Sequence, residues 1–331
     1  MITGPLLLAH AVDQRSRYHA EVLSGDGVFA AVGARIWSET VHLVGRIGSD
    51  FPQAAIELLQ SSGIHTKALT RVQGTVHPRV FYRSTSKGIQ RDTNPAVFFR
   101  TIERPLPKQL IHLPEPVAAY DEYDRYPPFA SRPEDIPTSL WPAVACLVTS
   151  DHYLTQISIP VFMRGNGAEY VIITPPTRCL QPDFSEKLPI LLSGVTAAII
   201  SSSKLPHTIK FYSSELRDYA RVLGNHGSKY LVFTGEASGQ LVWDHARETL
   251  YHIPAYPGIV ADEMGAAAAF AGGFLAGLVK TGDALEAALH GSISASLVIE
   301  GTPALHALDA LPGLADARLD ALRGKILEVV L

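Results

Sequence analysis

The chain has 331 residues, enough for one large α/β domain with a small appendage. A net charge of −4 with 18% charged residues argues against nucleic acid or an anionic membrane as partner. The two cysteines, Cys146 and Cys179, lie far apart, and the start Met1–Ala9 has a short apolar run and no basic segment. That usage fits a reducing compartment better than a disulfide framework, and it predicts a cytoplasmic protein with no signal peptide.

Pro5 to Val12 is an apolar run suited to a buried parallel strand, and Gln14 to Ser24 is polar and mixed. From Ser24 the text reads Gly25-Asp26-Gly27, whose glycines free the backbone for a turn; Val28, Ala31, Val32 and Ile36 then keep a helical spacing. Val41 to Phe51 predicts a strand and a Gly-bounded turn, and Pro52 opens a helix through Leu59 that Gly63 stops. Val76 to Tyr82 and Ala96 to Phe99 read as two β-type runs around a loop, Ser84 to Asn94. Arg100 to Arg132 is Pro-rich and predicts an inserted surface loop, followed by a helix start at Pro133. Within it Tyr120, Tyr123 and Tyr126 alternate with acids, which disfavours stacking on nucleic-acid bases.

Val144–Thr149, Tyr170–Thr174, Val195–Ile200 and Lys229–Thr234 are short apolar runs separated by helical or loop segments, the alternation of a doubly wound, mostly parallel sheet flanked by helices. Glu215 to Leu223 reads as a helix with Ser214 as its N-cap and Gly224 as its stop. Asp283 and Glu286 stand at capping-box spacing before a last long helix. None of the 13 histidines falls at metal-ligand spacing, so no metal site is predicted. There is no Gly-x-Ser-x-Gly elbow and no Walker A sequence.

The segment Ala261 to Val279 carries the most information. No charged residue occurs from Met264 to Val279, and apolar residues cover every face, as in a buried helix; the run is too short and Gly-rich to span a bilayer. Gly265 stands where that helix begins, so the first amides can point outward unpaired and receive an anion.

This segment resembles the C-terminal signature of the ribokinase-like (PfkB) carbohydrate kinases, Asp-Thr-Thr-Gly-Ala-Gly-Asp-Ala-Phe-x-Gly-Gly. Asp262, Gly265, Ala266, Ala269, Phe270, Gly272 and Gly273 match, while Glu263 and Met264 replace the threonines and Ala267 the second glycine. Ala268 stands where the family has its catalytic Asp. The order Gly turn, helix, strand and Gly48-Ser49-Asp50 turn matches the N-terminal signature, with Phe29 at the place of an Asn that contacts substrate hydroxyls.

The resemblance implies a single ribokinase-like domain over 1–331, with a small β-sheet lid from about 14–24 and 75–102 and the insertion at about 100–132. It implies an anion hole at Gly265, Ala266, Ala267 and Ala268. Substrate would be held at Asp13, Gly25, Asp26 and Phe29, with Asp13 the nearest match to an acid of the first strand. Nucleotide would be held at Thr234, Gly239, Asp262 and Gly265. The family transfers phosphate from ATP, with Mg²⁺, to a hydroxyl of a sugar or nucleoside. Here the base is absent, and the metal-linked Asn-x-x-Glu is replaced by Ser202 and Leu205. Two readings stay open: a divergent kinase using ATP and Mg²⁺, or an inactive pseudokinase, without cofactor, that binds a small ligand or acts as a dimeric interaction protein. The lid strands leave a homodimer open in either case.

Overall fold

Period-two alternation decides how the central sheet is built. In the strand Ala145–Val148 (β8), Ala145 and Leu147 enter one hydrophobic cluster while Cys146 and Val148 enter another. The strand Tyr230–Thr234 (β11) does the same, with Tyr230 and Val232 on one face and Leu231 and Phe233 on the other. Both faces of such strands are apolar, so the sheet must be covered on both sides. A computed structural model of the chain describes residues 1–91, 94–111, 124–149, 152–206, 209–211, 213–235 and 238–329.

The large sheet contains Ile2–Thr3 (β1), Val41–Gly48 (β4), Ile64–Val72 (β5), β8, Tyr170–Ile173 (β9), Ala197–Ser201 (β10), β11, Gln240–Asp244 (β12), Thr249–Ile253 (β13) and Leu327–Glu328 (β14). Its order is β14-β13-β12-β11-β10-β9-β8-β1-β4-β5. Pairing from β5 through β11 is parallel, and β12, β13 and β14 add antiparallel strands. The chain leaves β1 toward β4 and β5, then returns to the other side of β1 at β8. That reversal is the place where open α/β sheets form a ligand crevice.

One face is covered by the helices Asp26–Arg35 (α1), Ala266–Thr281 (α7) and Ala284–Val298 (α8). The other is covered by Tyr153–Gly165 (α4), Leu188–Leu192 (α5) and Ser214–Gly224 (α6). The apolar run of α7 up to Val279 has its explanation in the contacts of this helix. A Cβ at Gly272 would stand 1.9 Å from the Ala30 carbonyl oxygen, and one at Gly33 would stand 2.0 Å from that of Ala269. α1 and α7 therefore touch backbone to backbone, a distance that only glycine allows. No helix is long and apolar enough to cross a membrane among the described residues.

The smaller sheet has the order β3-β2-β6-β7, from Tyr18–Ser24 (β3), Leu7–Val12 (β2), Arg79–Thr85 (β6) and Gly88–Arg91 (β7). The apolar run from Pro5 is the buried, parallel-paired strand expected, since Leu7–Val12 runs parallel to β6. It belongs to the smaller sheet, where Ala9 and Ala11 pack under Tyr82, while Ile2 and Thr3 pair in the large sheet. The β-type pattern at Ala96–Phe99 is overturned, since Pro95–Thr101 is a helix with Pro95 in its first turn. Its Phe99 fills the cluster of Val12, Phe81 and Leu110, so tertiary packing outweighs the β propensity of Val97, Phe98 and Phe99.

Two further details differ from the sequence reading. The cap of α6 is Ser213, whose Oγ accepts from the Leu216 N–H at 3.3 Å, and Ser214 is the first helical residue. The segment expected as a surface insertion over 100–132 buries Leu110, Ala130 and Ser131, while 112–123, with Tyr120 and Tyr123, lies outside the described residues.

Candidate active site

A cavity of ≈ 430 Å³ lies at the carboxyl ends of the parallel strands. Pro5 follows β1, His152 follows β8, Pro176 follows β9 and Lys204 follows β10, so the cavity occupies the reversal point of the sheet. The smaller sheet contributes Leu7, Val80 and Arg91 to its wall, and the turn into α1 contributes Ser24, Gly25 and Asp26. Gly25 has φ +95°, and a Cβ there would meet the Pro5 carbonyl oxygen at 2.4 Å. Glycine is therefore what allows α1 to begin beside β1 and present Asp26 to the cavity.

Phe29 lines the cavity as well, and its ring lies against Gly265. A Cβ on Gly265 would be 2.1 Å from the Phe29 Cγ. Gly265 itself has φ +82° and caps α7. Ala266 donates its N–H to the Glu263 carbonyl at 3.3 Å, and Ala269 donates to that of Gly265 at 2.8 Å. The N–H groups of Ala267 and Ala268 take no backbone acceptor among the described residues, and Ala267 is exposed. The head of α7 thus keeps outward-facing donors of the kind that receive anions. Ala268 is buried, at 6% exposure, and ends in a methyl group, so it offers neither a proton acceptor nor a metal ligand.

The neighbouring acids are committed elsewhere. Asp262 is buried, and its Oδ2 accepts from the Tyr82 hydroxyl at 2.9 Å and the Thr302 hydroxyl at 2.6 Å, while Oδ1 accepts from the Met264 N–H at 3.0 Å. Burial holds its carboxyl above the usual range against those three donors, and burial followed by the Asp262 charge raises the Tyr82 phenol. Glu263 donates its N–H to the Ser84 Oγ at 3.2 Å, and its carboxylate points toward Gly88, the first residue of β7.

Asp13 closes its own turn. It accepts from the N–H groups of Arg15 and Arg17, the Arg17 guanidinium at 2.7 Å and the His19 ring at 3.2 Å. Those donors hold its carboxyl below the usual range although burial opposes them, and it does not line the cavity. Among the described lining residues, Asp26 is the single carboxylate.

The structure therefore brings Gly25, Asp26, Phe29 and the Gly265–Ala268 turn together; Asp13 stands beside the segment before that turn, where the Gln14 N–H donates to the Ala261 carbonyl at 2.9 Å, and neither it nor Thr234 nor Gly239 lines the cavity. Thr234 ends β11, and Gly239, at φ +82°, closes the turn into β12 through a 2.7 Å bond from the Gly235 N–H. Glu236 and Ala237 of that turn lie outside the described residues. A hard divalent cation does not fit the segment after β10. Ser201 and Ser203 bond each other at 2.8 Å, Lys204 brings a positive charge, and Leu205 is buried and apolar. No cluster of His, Cys, Asp and Glu that could hold a metal occurs among the described residues.

Sequence reasoning did not single out Arg91, His152, Arg178 and Lys204, which all line the cavity. Lys204 lies within the degenerate Ser202–Leu205 segment and the other three have no motif around them, so position after a parallel strand or at a strand end was the available signal. Lys204 donates to the Pro175 carbonyl at 3.3 Å. Burial lowers its ammonium below the usual lysine range, Asp26 acts against that and Arg91 adds to it. The Cys179 thiol is pushed up to about 12, chiefly by burial, so it is an inert thiol at neutral pH.

No family model matches the chain. Solved structures place its fold: it is similar over 97% of its length to ribokinase from Giardia lamblia, with TM-score 0.68, 14% identity and 98% of that chain covered. Ribokinase from Arabidopsis thaliana, complexed with ribose and ATP, gives TM-score 0.65 at 14% identity, covering 97% of each chain. A nucleoside kinase from Burkholderia thailandensis, in complex with inosine, gives TM-score 0.64 at 13% identity over 98% of each chain. The chain has the ribokinase-like α/β fold. In sequence it is 24% identical over 328 residues to an uncharacterized protein of Schizosaccharomyces pombe, covering 86% of this chain and 80% of that protein. A 65-residue stretch is 38% identical to a cytidine kinase of Thermococcus kodakarensis, which is 20% of this chain and 23% of that kinase.

Proposed function

We propose that this chain is a divergent relative of the sugar and nucleoside kinases that binds a small ligand in the crevice but does not transfer phosphate to it. The observation that carries this reading is the pairing at the head of α7: a methyl group at Ala268, and the Phe29 ring lying against Gly265. Transfer to a hydroxyl needs a positioned carboxylate to accept the proton, worth about 10² to 10⁴ in rate. At the head of α7, Asp262 is already occupied by three donors, and Glu263 points toward Gly88.

What the chain retains is binding machinery. The amides of Ala267 and Ala268 can hold an anion, and the smaller sheet, as a lid, can exclude water from the crevice. Sugars and nucleosides are the ligand class that the fold neighbours suggest, since those neighbours include complexes with ribose and inosine. ATP at the turn of Thr234 and Gly239 belongs to the same reading. Mg²⁺ does not, because the residues after β10 do not suit it. The lid edge as a homodimer face is part of the proposal too.

A second reading has one observation of its own. Asp26 lines the cavity with its carboxylate, and a surviving kinase would use it as the base. Phosphoryl transfer from ATP to a panel of sugars and nucleosides separates the two. The first reading expects no transfer above the enzyme-free rate. Transfer that disappears in Asp26→Asn would establish the second.

A further inference from the structure

The residues just before the α7 turn are bonded to distant parts of the chain on two sides. On one side stands the smaller sheet. The Tyr82 hydroxyl of β6 donates to Asp262 Oδ2 at 2.9 Å, and the Ser84 Oγ of the same strand accepts from the Glu263 N–H at 3.2 Å. Gln14, in the turn between β2 and β3, donates its N–H to the Ala261 carbonyl at 2.9 Å. On the other side stands the chain beyond α8. The Thr302 hydroxyl donates to the same Asp262 Oδ2 at 2.6 Å, and the Ile299 carbonyl accepts from the N–H groups of Ala261 at 2.8 Å and Asp262 at 3.0 Å. This short segment is therefore the tie between the smaller sheet and the C-terminal part of the large domain.

The tie runs directly into the crevice wall. Met264 lines the cavity and packs against the cluster of Ala9, Ala11 and Tyr82, and Gly265 then turns the chain into α7. Tyr82 and Asp262 are 1% and 3% exposed, so water cannot replace the hydroxyl if it leaves. A buried carboxylate short of a donor is costly, so the smaller sheet moves either by breaking this bond or by carrying Asp262 with it.

We propose that the Tyr82–Asp262 hydrogen bond is a coupling device, through which displacement of the smaller sheet displaces the α7 turn and with it the amides of Ala267 and Ala268. A sheet joined to the wall by apolar contact alone could lift from α7 and leave it unchanged. Coupling of this kind is reciprocal, so loosening the segment from the α8 side loosens the smaller sheet. It operates whether or not phosphate is transferred.

Amide hydrogen exchange of the full chain without ligand, read by mass spectrometry, tests it in a double-mutant cycle of Tyr82→Phe and Thr302→Val. Each change removes one hydroxyl from Asp262 Oδ2 and keeps the shape of the side chain. Thr302 lies outside the smaller sheet, yet Thr302→Val is expected to raise exchange about threefold or more both in residues 261–270 and in residues 79–91. The strands β9, β10 and β11 should keep their native rates. With Tyr82→Phe already present, adding Thr302→Val should still loosen 261–270 but no longer change 79–91. A response to Thr302→Val confined to 261–270, or no response at all, overturns the proposal. So does a response in 79–91 that is undiminished by Tyr82→Phe, and so does an equal rise in β9, β10 and β11, which would make both bonds contributors to global stability only. Transfer of phosphate from ATP is measured separately, so the reading of the crevice as non-transferring stands or falls on its own.

Discussion

At position 268 a methyl group stands in a place where the fold's kinases are expected to carry a carboxylate, and its surroundings have closed around that change. The Phe29 ring lies against Gly265, and Asp262, three residues before Gly265, accepts three hydrogen bonds. Restoring one residue is therefore not expected to restore the chemistry. Ala268→Asp combined with Ala267→Gly should leave turnover at background, although the pair returns a carboxylate and a glycine to the turn. A gain near the 10² to 10⁴ typical of a general base would show that Phe29 does not obstruct the site. Adding Phe29→Asn to the pair is the change expected to raise turnover.

Among the elements, the contact of α1 with α7 sets where both halves of the site stand. Gly272→Ala would drive a methyl group into the Ala30 carbonyl, so a loss of about 1–3 kcal/mol is expected, at the upper end because backbone cannot rotate away. Urea unfolding would measure it, and an unchanged midpoint would mean that the helices are not held at this distance. The Gly-rich apolar text of α7 made that helix and its buried position legible before any coordinates, as did the Gly25-Asp26-Gly27 turn into α1. The four apolar runs from Val144 to Thr234 likewise announced a parallel sheet covered on both faces. Legibility ended where one local pattern serves two folds. The run from Pro5 is apolar whether it pairs in the large sheet or the small one, and Val97-Phe98-Phe99 resembles a strand although Pro95 opens a helix there. The cations of the cavity were not legible at all. Arg91, Arg178 and Lys204 are distant in sequence and meet only because β7, β9 and β10 end at one crevice.

For the molecule as a whole, stability should depend on pH through the junction of the two sheets. His77, between β5 and β6, is buried against Phe51 and Phe129 and accepts from the Gly48 N–H through Nδ1 at 3.1 Å. Burial lowers its pKa to about 4, with Asp50 acting against the shift. The unfolded chain therefore binds a proton that the folded chain refuses between about pH 6.5 and pH 4. The His77 contribution is complete above that window and is lost as pH falls through it, by roughly 2 kcal/mol between neutral pH and pH 5. Denaturant unfolding of the native chain and of His77→Gln at both pH values should show a steeper acid loss in the native chain. Parallel pH profiles would exclude His77 as the source.

The same junction joins the crevice to the sheet that covers it, and the account of the whole molecule returns to what happens there. The most direct measurement is transfer of the γ-phosphate from ATP, in the presence of Mg²⁺, to sugars and nucleosides by the native chain. No labelled product above the enzyme-free control is the expected result, since the head of α7 has nothing to take the proton. Catalytic product formation, lost when Asp26 becomes Asn, would contradict the account and return the chain to the working kinases.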